Sequence, residues 1–339
     1  MATCWGILGA GDISHDFALA LQLLPATEHK VVCVAARDLK RAQDFANDED
    51  HKIAKAYGAY QDLASDQNVD VVYIGNSHPH HLDAAKLMLN AGKAVLCEKP
   101  LTMNLRQSEE LIAVAKQEGK FLMEGIWSRF FPIYTKIREE VTNGTIGDAM
   151  HVSVKFMHKI AWKPRMSDKA QGGGCVLNYG LYAIQFVLWV FQDEPEEVKA
   201  QGIVNETGAE DACTISMKFS SGRTANIYLD SRLNGDSESI IYGTNGKLEA
   251  LPQCIKPVKL VTPSGTLDYP VPRTEAKTNF LHTMGFTYQA QCIRECLQKG
   301  LLECPTMTHQ DSLLLSSLVD NVRQQIGVDT AVSVTSSRY

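Results

Sequence analysis

Cys4-Trp-Gly-Ile-Leu-Gly-Ala-Gly-Asp-Ile-Ser14 decides how this chain folds. Cys4 to Leu8 is a short apolar run that reads as a buried strand. It enters the turn Gly9-x-Gly11-x-x-Ser14, and an amphipathic helix follows to about Leu24, closed by Pro25. The glycines permit a tight turn and a close backbone approach to a pyrophosphate. The helix N-terminus behind them supplies amide donors and a partial positive charge. Ser14 stands at the third small position and still allows close helix packing. A lone pattern of this kind is a weak signal. At the first strand-to-helix turn of an alternating chain it marks a dinucleotide site, with Gly9, Ala10, Gly11, Asp12 and Ile13 as its residues.

Working outward, the alternation continues. Val31 to Ala36 is a nearly continuous apolar strand, and Leu39 to Asn47 is a helix. Val69 to Ile74 is a third strand, followed by Gly75-Asn-Ser-His-Pro79 and a helix through about Asn90. Ala94 to Cys97 is a fourth strand, stopped by Glu98-Lys-Pro100. A helix from Asn104 to about Gln117 and a fifth strand, Phe121 to Glu124, complete the series. Continuous apolar strands joined through helices by short loops predict an α/β fold with a doubly wound parallel sheet covered on both faces.

After residue 125 the rhythm changes. A helix is expected over Ile133 to Thr142, a longer strand over Met150 to Met157, and a glycine loop, Gly172 to Gly174, opening a helix from Leu177 to Phe191. Strand-like runs between Val198 and Asp268 are separated by turn signals such as Asn234-Gly235 and Asn245-Gly246, which predicts a mostly antiparallel open sheet. Two helices, about Thr283 to Lys299 and Thr308 to Gly327, close the chain. The expected organisation is a dinucleotide-binding domain over residues 1–125 and an α+β substrate-binding and dimerisation domain over 126–339.

Composition narrows the function classes. The chain is 45% hydrophobic and 21% charged over 339 residues, as in ordinary globular proteins of two domains. Its net charge of −6 argues against non-specific nucleic-acid binding. No long uninterrupted apolar run is seen, so no membrane span is expected, and the N-terminus lacks a signal-like stretch. Nine cysteines are irregularly spaced. Cys292 and Cys296 are one helical turn apart, and Cys296 and Cys304 do not form a CxxC pair. They read as reduced thiols of a cytoplasmic protein.

The second strand ends Ala35-Ala-Arg37-Asp38. An acidic residue at this tip favours a ribose 2′-hydroxyl and NAD, whereas arginine favours a 2′-phosphate and NADP. Arg37 comes first and Arg41 joins it from the first helical turn, so two guanidinium groups can clamp a phosphate. NADP is therefore expected, with Arg37, Asp38 and Arg41 at the cofactor. The alternative is a solvated arginine face with Asp38 capping the helix.

Lys99 stands at the carboxyl end of a buried strand, where open α/β sheets place their ligands. Gly9-Ala-Gly-x-Ile-Ser14, Gly75-Asn-Ser-His-Pro-His-His81 and Cys97-Glu-Lys-Pro100 together resemble the Gfo/Idh/MocA oxidoreductases. Glu124-Gly-Ile-Trp-Ser-Arg-Phe-Phe-Pro132 and Gly173-Gly-Cys-Val-Leu-Asn-Tyr-Gly-Leu-Tyr182 are similar to the dimeric dihydrodiol dehydrogenases of that family. The resemblance implies that Lys99 lies beside the nicotinamide and the reacting hydroxyl. It implies that Tyr182 is the acid/base, at the position where many relatives carry the histidine of an Asp-x-Gly-x-His motif. A tyrosine, with an unperturbed pKa of about 10, needs a cation such as Lys99 to serve near neutral pH.

Asn178 replaces the aspartate of that motif; it can position a substrate hydroxyl but cannot act as a base. The resemblance further places Asn76, His78, His81, Glu98, Lys99 and Pro100 along the dinucleotide. His78, His80 and His81 are joined by no cysteine or carboxylate at ligand spacing, so no metal is expected. Trp127, Phe156, Trp162 and Phe280 are candidates for a mainly apolar substrate wall, and Arg129, just past the fifth strand, is a candidate to meet substrate or cofactor, with a surface salt bridge as the alternative. The implied activity is NADP-dependent oxidation of trans-dihydrodiols to catechols, and of D-xylose and related pyranoses to lactones, by a homodimer. The rivals are a sugar or polyol dehydrogenase without aromatic substrates, and a non-enzymatic NADP-binding regulator. Retention of both Lys99 and Tyr182 counts against the second.

Overall fold

The computed structural model describes residues 1–330. Its first sheet is built from β1 (Thr3–Leu8), α1 (Asp12–Gln22), β2 (His29–Ala35), α2 (Leu39–Ala46), β3 (Lys55–Tyr57), α3 (Tyr60–Ser65), β4 (Val71–Ile74), α4 (His81–Asn90), β5 (Ala94–Glu98), α5 (Leu105–Glu118) and β6 (Leu122–Gly125). The six strands lie in the order β3-β2-β1-β4-β5-β6, and every pairing is parallel. The order reverses between β1 and β4, which makes the crevice at their carboxyl ends the topological switch point of an α/β fold. All residues of β4 and β5 are buried, the reason those strands read as unbroken apolar runs.

The sheet has one strand more than expected. β3 is only three residues long, and its Lys55 is exposed. No period can be read from so short a run, and it becomes a strand only by pairing with Cys33, Val34 and Ala35 of β2. α3, six residues long, is likewise an addition to the expected elements. Below the sheet, Val72, Ile74, Val95 and Cys97 pack with Met88, Leu89 and Leu111 in one buried cluster. Fully burying side chains of this size is worth about 1.5–3 kcal/mol each. On α1, Phe17 stacks on Tyr73 with ring centroids 3.9 Å apart and meets the edge of Trp5 at 5.3 Å.

The second sheet follows α6 (Pro132–Thr142). Its elements are β7 (Ala149–Met157), α7 (Pro164–Ser167), α8 (Leu181–Phe191), β8 (Glu197–Val204), β9 (Glu210–Lys218), β10 (Thr224–Asp230), β11 (Glu238–Gly243), β12 (Gly246–Leu251), β13 (Lys259–Thr262) and β14 (Gly265–Asp268). Eight strands lie in the order β14-β13-β12-β11-β7-β10-β9-β8. Only the β7–β10 pairing is parallel. α8 packs on β7 and β10 and is buried almost throughout. The helical run Lys169–Phe191 is, by length and composition, apolar enough to cross a membrane, which corrects the expectation that no such run exists. Within the second unit 89% of its apolar window is buried, as in the core helix of a globular domain.

α9 (Phe286–Gln298) and α10 (His309–Gln325) complete the described chain. Two compact units result, and their boundaries differ from the expected 1–125 and 126–339. Among the described residues, the first holds Met1–Trp127 together with Val271–Leu313, and the second holds Ser128–Pro270 together with residues 314–330. Asp16 of α1 draws the later segment back. Its carboxylate accepts from the Asn279 amide at 2.8 Å, the Phe280 amide at 2.9 Å and the Thr283 hydroxyl at 2.8 Å.

Candidate active site

At the first turn, Gly9 has φ +101°, and a Cβ there would lie 3.0 Å from the Asn76 nitrogen and 3.1 Å from the Gly75 carbonyl carbon. Backbone blocks it on that side, so only glycine fits. Gly9 N–H donates to the Ala35 carbonyl at 2.9 Å and Gly75 N–H to the Leu8 carbonyl at 2.9 Å, which locks the turn across the ends of β2, β1 and β4. Gly11 differs: a Cβ on it would meet nothing within 4 Å. It precedes α1 without a side-chain cap, so the first amides of α1, at Asp12 and Ile13, face a surface kept clear for close approach. Ser14 is fully buried, and its Oγ takes the space a Cβ on Gly75 would need. This cradle fits the pyrophosphate of a dinucleotide.

At the tip of β2 the aspartate takes the alternative role. Asp38 Oδ1 accepts from the amides of Lys40 at 2.7 Å and Arg41 at 3.3 Å, so its carboxylate caps α2. Arg41 reaches back to the glycine turn and donates from Nη2 to the Ala10 carbonyl at 3.3 Å. Arg37 and Arg41 are exposed, and neither is in an ion pair among the described residues. Both act on Tyr60 of α3: burial raises its phenol, and the two guanidinium groups pull it back. His80 is pushed down by burial and, further, by Arg37. Tyr60 had no sequence signal because α3 itself had none.

At the end of β5, Glu98 Oε1 accepts from the Tyr73 hydroxyl at 2.9 Å and Oε2 from the Lys99 amide at 3.3 Å. The carboxylate thus braces its own turn. The Pro100 carbonyl lies 2.7 Å from His81 Nδ1, and the Asn76 carbonyl lies 3.1 Å from His81 Nε2. His81 therefore sits between the Asn76 loop and the Lys99 turn, and as a neutral imidazole it donates its single N–H to one of the two carbonyls. Burial pushes its imidazole down to about 4, against the pull of the two carbonyls. From the other side, Glu124 Oε1 accepts from the Leu101 amide at 2.9 Å, and Gly125 packs against the Cys97 carbonyl and Glu98. Lys99 itself is partly exposed on this braced turn. His78 is buried with its ring 5.6 Å from that of His81.

In the second unit, a π-helical turn, Val176–Gly180, leads into α8 and places Tyr182 in the first turn of that helix. Such turns recur at functional sites. Tyr182 is 5% exposed, and its carbonyl accepts from the Cys254 thiol at 3.9 Å. Gly174 has φ +113°, and a Cβ on it would collide with the Glu210 carboxylate. Asn178 Nδ2 donates to the carbonyls of Gly172 at 3.0 Å and Gly174 at 2.8 Å. Both partners are acceptors, so an amide fits here where a carboxylate would be repelled. Asn178 thus holds the glycine loop.

Arg129 lies just past β6. It is 4% exposed, donates from Nε to Gln185 Oε1 at 3.1 Å and lies 5.5 Å from the Trp189 ring centroid. Gln185 donates onward to the Tyr134 hydroxyl at 2.7 Å and to Ser128 Oγ at 3.2 Å. The guanidinium is part of the packing between α6 and α8. The aromatic candidates do not share one environment. Phe156 packs on Tyr179 with centroids 4.5 Å apart, whereas Trp162 is 70% exposed beneath Lys163. In the first unit, Trp127 is buried against Phe286 at 4.8 Å, and Phe280 is anchored through its amide on Asp16.

The parallel sheet and its cradle define a class, the oxidoreductases that take a nicotinamide dinucleotide. Family models agree: residues 4–126 match the "Oxidoreductase family, NAD-binding Rossmann fold", and residues 134–249 match the "GFO/IDH/MocA C-terminal domain". The chain belongs to the Gfo/Idh/MocA oxidoreductase family. Among its relatives is trans-1,2-dihydrobenzene-1,2-diol dehydrogenase of Danio rerio, 42% identical over 97% of this chain and 98% of the relative. The Bos taurus protein of the same name is also 42% identical, over 97% and 98%. In fold this chain is similar to the aldose-aldose oxidoreductase of Caulobacter crescentus, with a TM-score of 0.81, 20% identity and 96% and 97% of the two chains covered.

Proposed function

We propose that this chain is an NADP-dependent dehydrogenase that oxidises trans-dihydrodiols of aromatic hydrocarbons to catechols, and D-xylose and related pyranoses to lactones. One observation carries the reading: end-to-end similarity, at 42% identity, to proteins named trans-1,2-dihydrobenzene-1,2-diol dehydrogenase. The preference for NADP is supported by Arg41 on the glycine turn and by Asp38, whose carboxylate is committed to the α2 cap. Gly9 to Ile13 hold the pyrophosphate, Arg37 and Arg41 the 2′-phosphate, and the Asn76, His78 and His81 loop lines the dinucleotide.

When bound, the nicotinamide supplies the acceptor for hydride. Tyr182 takes the proton of the reacting hydroxyl, and the Lys99 cation favours the phenolate that does so. Their pairing is supported by the family resemblance. Loss of a proton from oxygen and a hydride from the same carbon leaves a ketone, which tautomerises to the catechol. The same two losses at a pyranose anomeric carbon leave a lactone. Trp127, Phe156 and Phe280 remain the proposed apolar contacts. The reading includes a homodimer formed through the open face of the second sheet, and a cytoplasmic setting consistent with nine free cysteines.

The test is NADPH absorbance with trans-benzene dihydrodiol and D-xylose supplied separately to the purified chain. Reduction with both is expected. Turnover of xylose alone makes it a sugar dehydrogenase, and no turnover with either substrate removes the enzymatic reading.

A further inference from the structure

Three cysteines that the sequence spreads over a helix and a loop converge in the first unit. Cys292 and Cys296 are one turn apart on α9, and Cys304 lies in the loop between α9 and α10. Their sulfur atoms all lie within 4.8 Å of one another, with Cys292 Sγ 3.4 Å from Cys304 Sγ. None is in a disulfide. Cys296 and Cys304 are buried, and Cys292 is partly exposed. These separations suit three corners of a coordination shell. At a Zn–S distance of about 2.3 Å, the edge of a tetrahedron is about 3.8 Å.

We propose that Cys292, Cys296 and Cys304 form a binding site for a thiophilic d¹⁰ metal ion, Zn2+ or Cu+, held by three thiolates. The donor set contains sulfur alone, which selects these ions over Mg2+, Ca2+ or Mn2+. Cys292 opens the site to solvent, giving the ion an entry path and leaving room for a water as a fourth ligand on Zn2+. Binding adds three metal–sulfur bonds and releases the thiol protons to solvent, with no change of oxidation state.

The site has a structural consequence. Its loop backs onto the start of β6, where Leu122 N–H donates to the Leu302 carbonyl at 3.1 Å and the Leu122 carbonyl lies 3.0 Å from His309 Nε2. A bound ion would fasten α9 and this loop to the edge strand, at the end opposite Glu124 and the Lys99 turn. A second convergent group, His15, Asp48 and His51, is less suited. Its imidazoles already contact the carbonyls of Lys277 at 3.0 Å and Phe45 at 2.8 Å, and Asp48 is exposed.

The reduced full-length chain, stripped with a chelator, is dialysed against Zn2+ in one arm and Cu+ in the other, desalted and analysed for metal. One retained ion per chain is expected in at least one arm, and the arm identifies the ion. Cys292→Ser and Cys304→Ser should each weaken retention by about tenfold or more, as losing a ligand costs at least what losing its supporting shell does. His51→Ala should not. Because Cys304→Ser alters a buried group, alkylation of the wild-type chain provides a check without a variant. Bound ion should protect Cys292 while leaving Cys4, also partly exposed, as reactive as before. No retention in either arm overturns the proposal, as does retention unchanged in both serine variants, loss of retention in His51→Ala, or an ion that leaves Cys292 unprotected.

Discussion

Arg41→Ala tests how the chain distinguishes NADP from NAD. The guanidinium lies over the glycine turn, 3.3 Å from the Ala10 carbonyl, and no carboxylate neutralises it among the described residues. Its charge is therefore available to a 2′-phosphate. A hydrogen bond to a charged group contributes about 1.5–3 kcal/mol. Arg41 is exposed, so solvent screening places its share at the lower end, about 1.5 kcal/mol. At about 1.4 kcal/mol per factor of ten, the Kd for NADP+ should rise about tenfold. The Kd for NAD+, which lacks the phosphate, should stay within about twofold, the change expected from about 0.4 kcal/mol. Adding Arg37→Ala should bring a second factor of similar size. Asp38→Asn keeps an oxygen to cap α2 and should leave both constants unchanged. Titration of each dinucleotide by calorimetry reads all of these directly. Equal losses for NAD+ and NADP+ in Arg41→Ala would refute the phosphate-clamp argument, and a selective NAD+ loss in Asp38→Asn would return that residue to the ribose.

Gly9→Ala forces a Cβ to 3.0 Å from backbone at positive φ, so thermal melting should drop by several degrees and dinucleotide binding should weaken with it; an unchanged Tm contradicts the turn geometry. Lys99→Met and Tyr182→Phe should each reduce kcat by about 10²- to 10⁴-fold while leaving the Kd for NADPH nearly unaltered. Near-normal turnover in either removes that residue from the mechanism. His81 titrates near 4 when folded, below its ordinary value of 6.5, so the unfolded chain binds the extra proton between those values. Its contribution to stability is complete above about pH 6.5 and is lost as pH falls toward 4. Denaturant melts of wild type and His81→Asn across that window should show a shallower pH slope in the variant; parallel slopes would show that His81 does not supply it.

Much of the first unit was legible because its signals are local. Gly9 and Gly11 sit at a strand-to-helix turn, and the runs at Val71–Ile74 and Ala94–Glu98 are apolar because both faces of the sheet are covered. β3 and α3 were not legible. Three residues carry no period, and β3 becomes a strand only by pairing along the edge of the sheet with β2. Site residues separate along the same line. Lys99 at a strand end follows from position in the chain. Asp38, Asn178 and Arg129 each have a partner that no local pattern shows: the α2 amides, the glycine-loop carbonyls and Gln185.

The sequence by itself determined the alternation of strand and helix, the glycine cradle, the family, and the change to an open antiparallel sheet after residue 125. These depend on side-chain period and turn chemistry, which act over a few residues. Only the tertiary structure decided that residues 271–313 return to the first unit, that Gly174 must stay a glycine beneath Glu210, and that Cys304 meets Cys292 and Cys296. Each depends on partners far apart along the chain, where a hydrogen bond or a close approach is set by packing and leaves no local pattern to read.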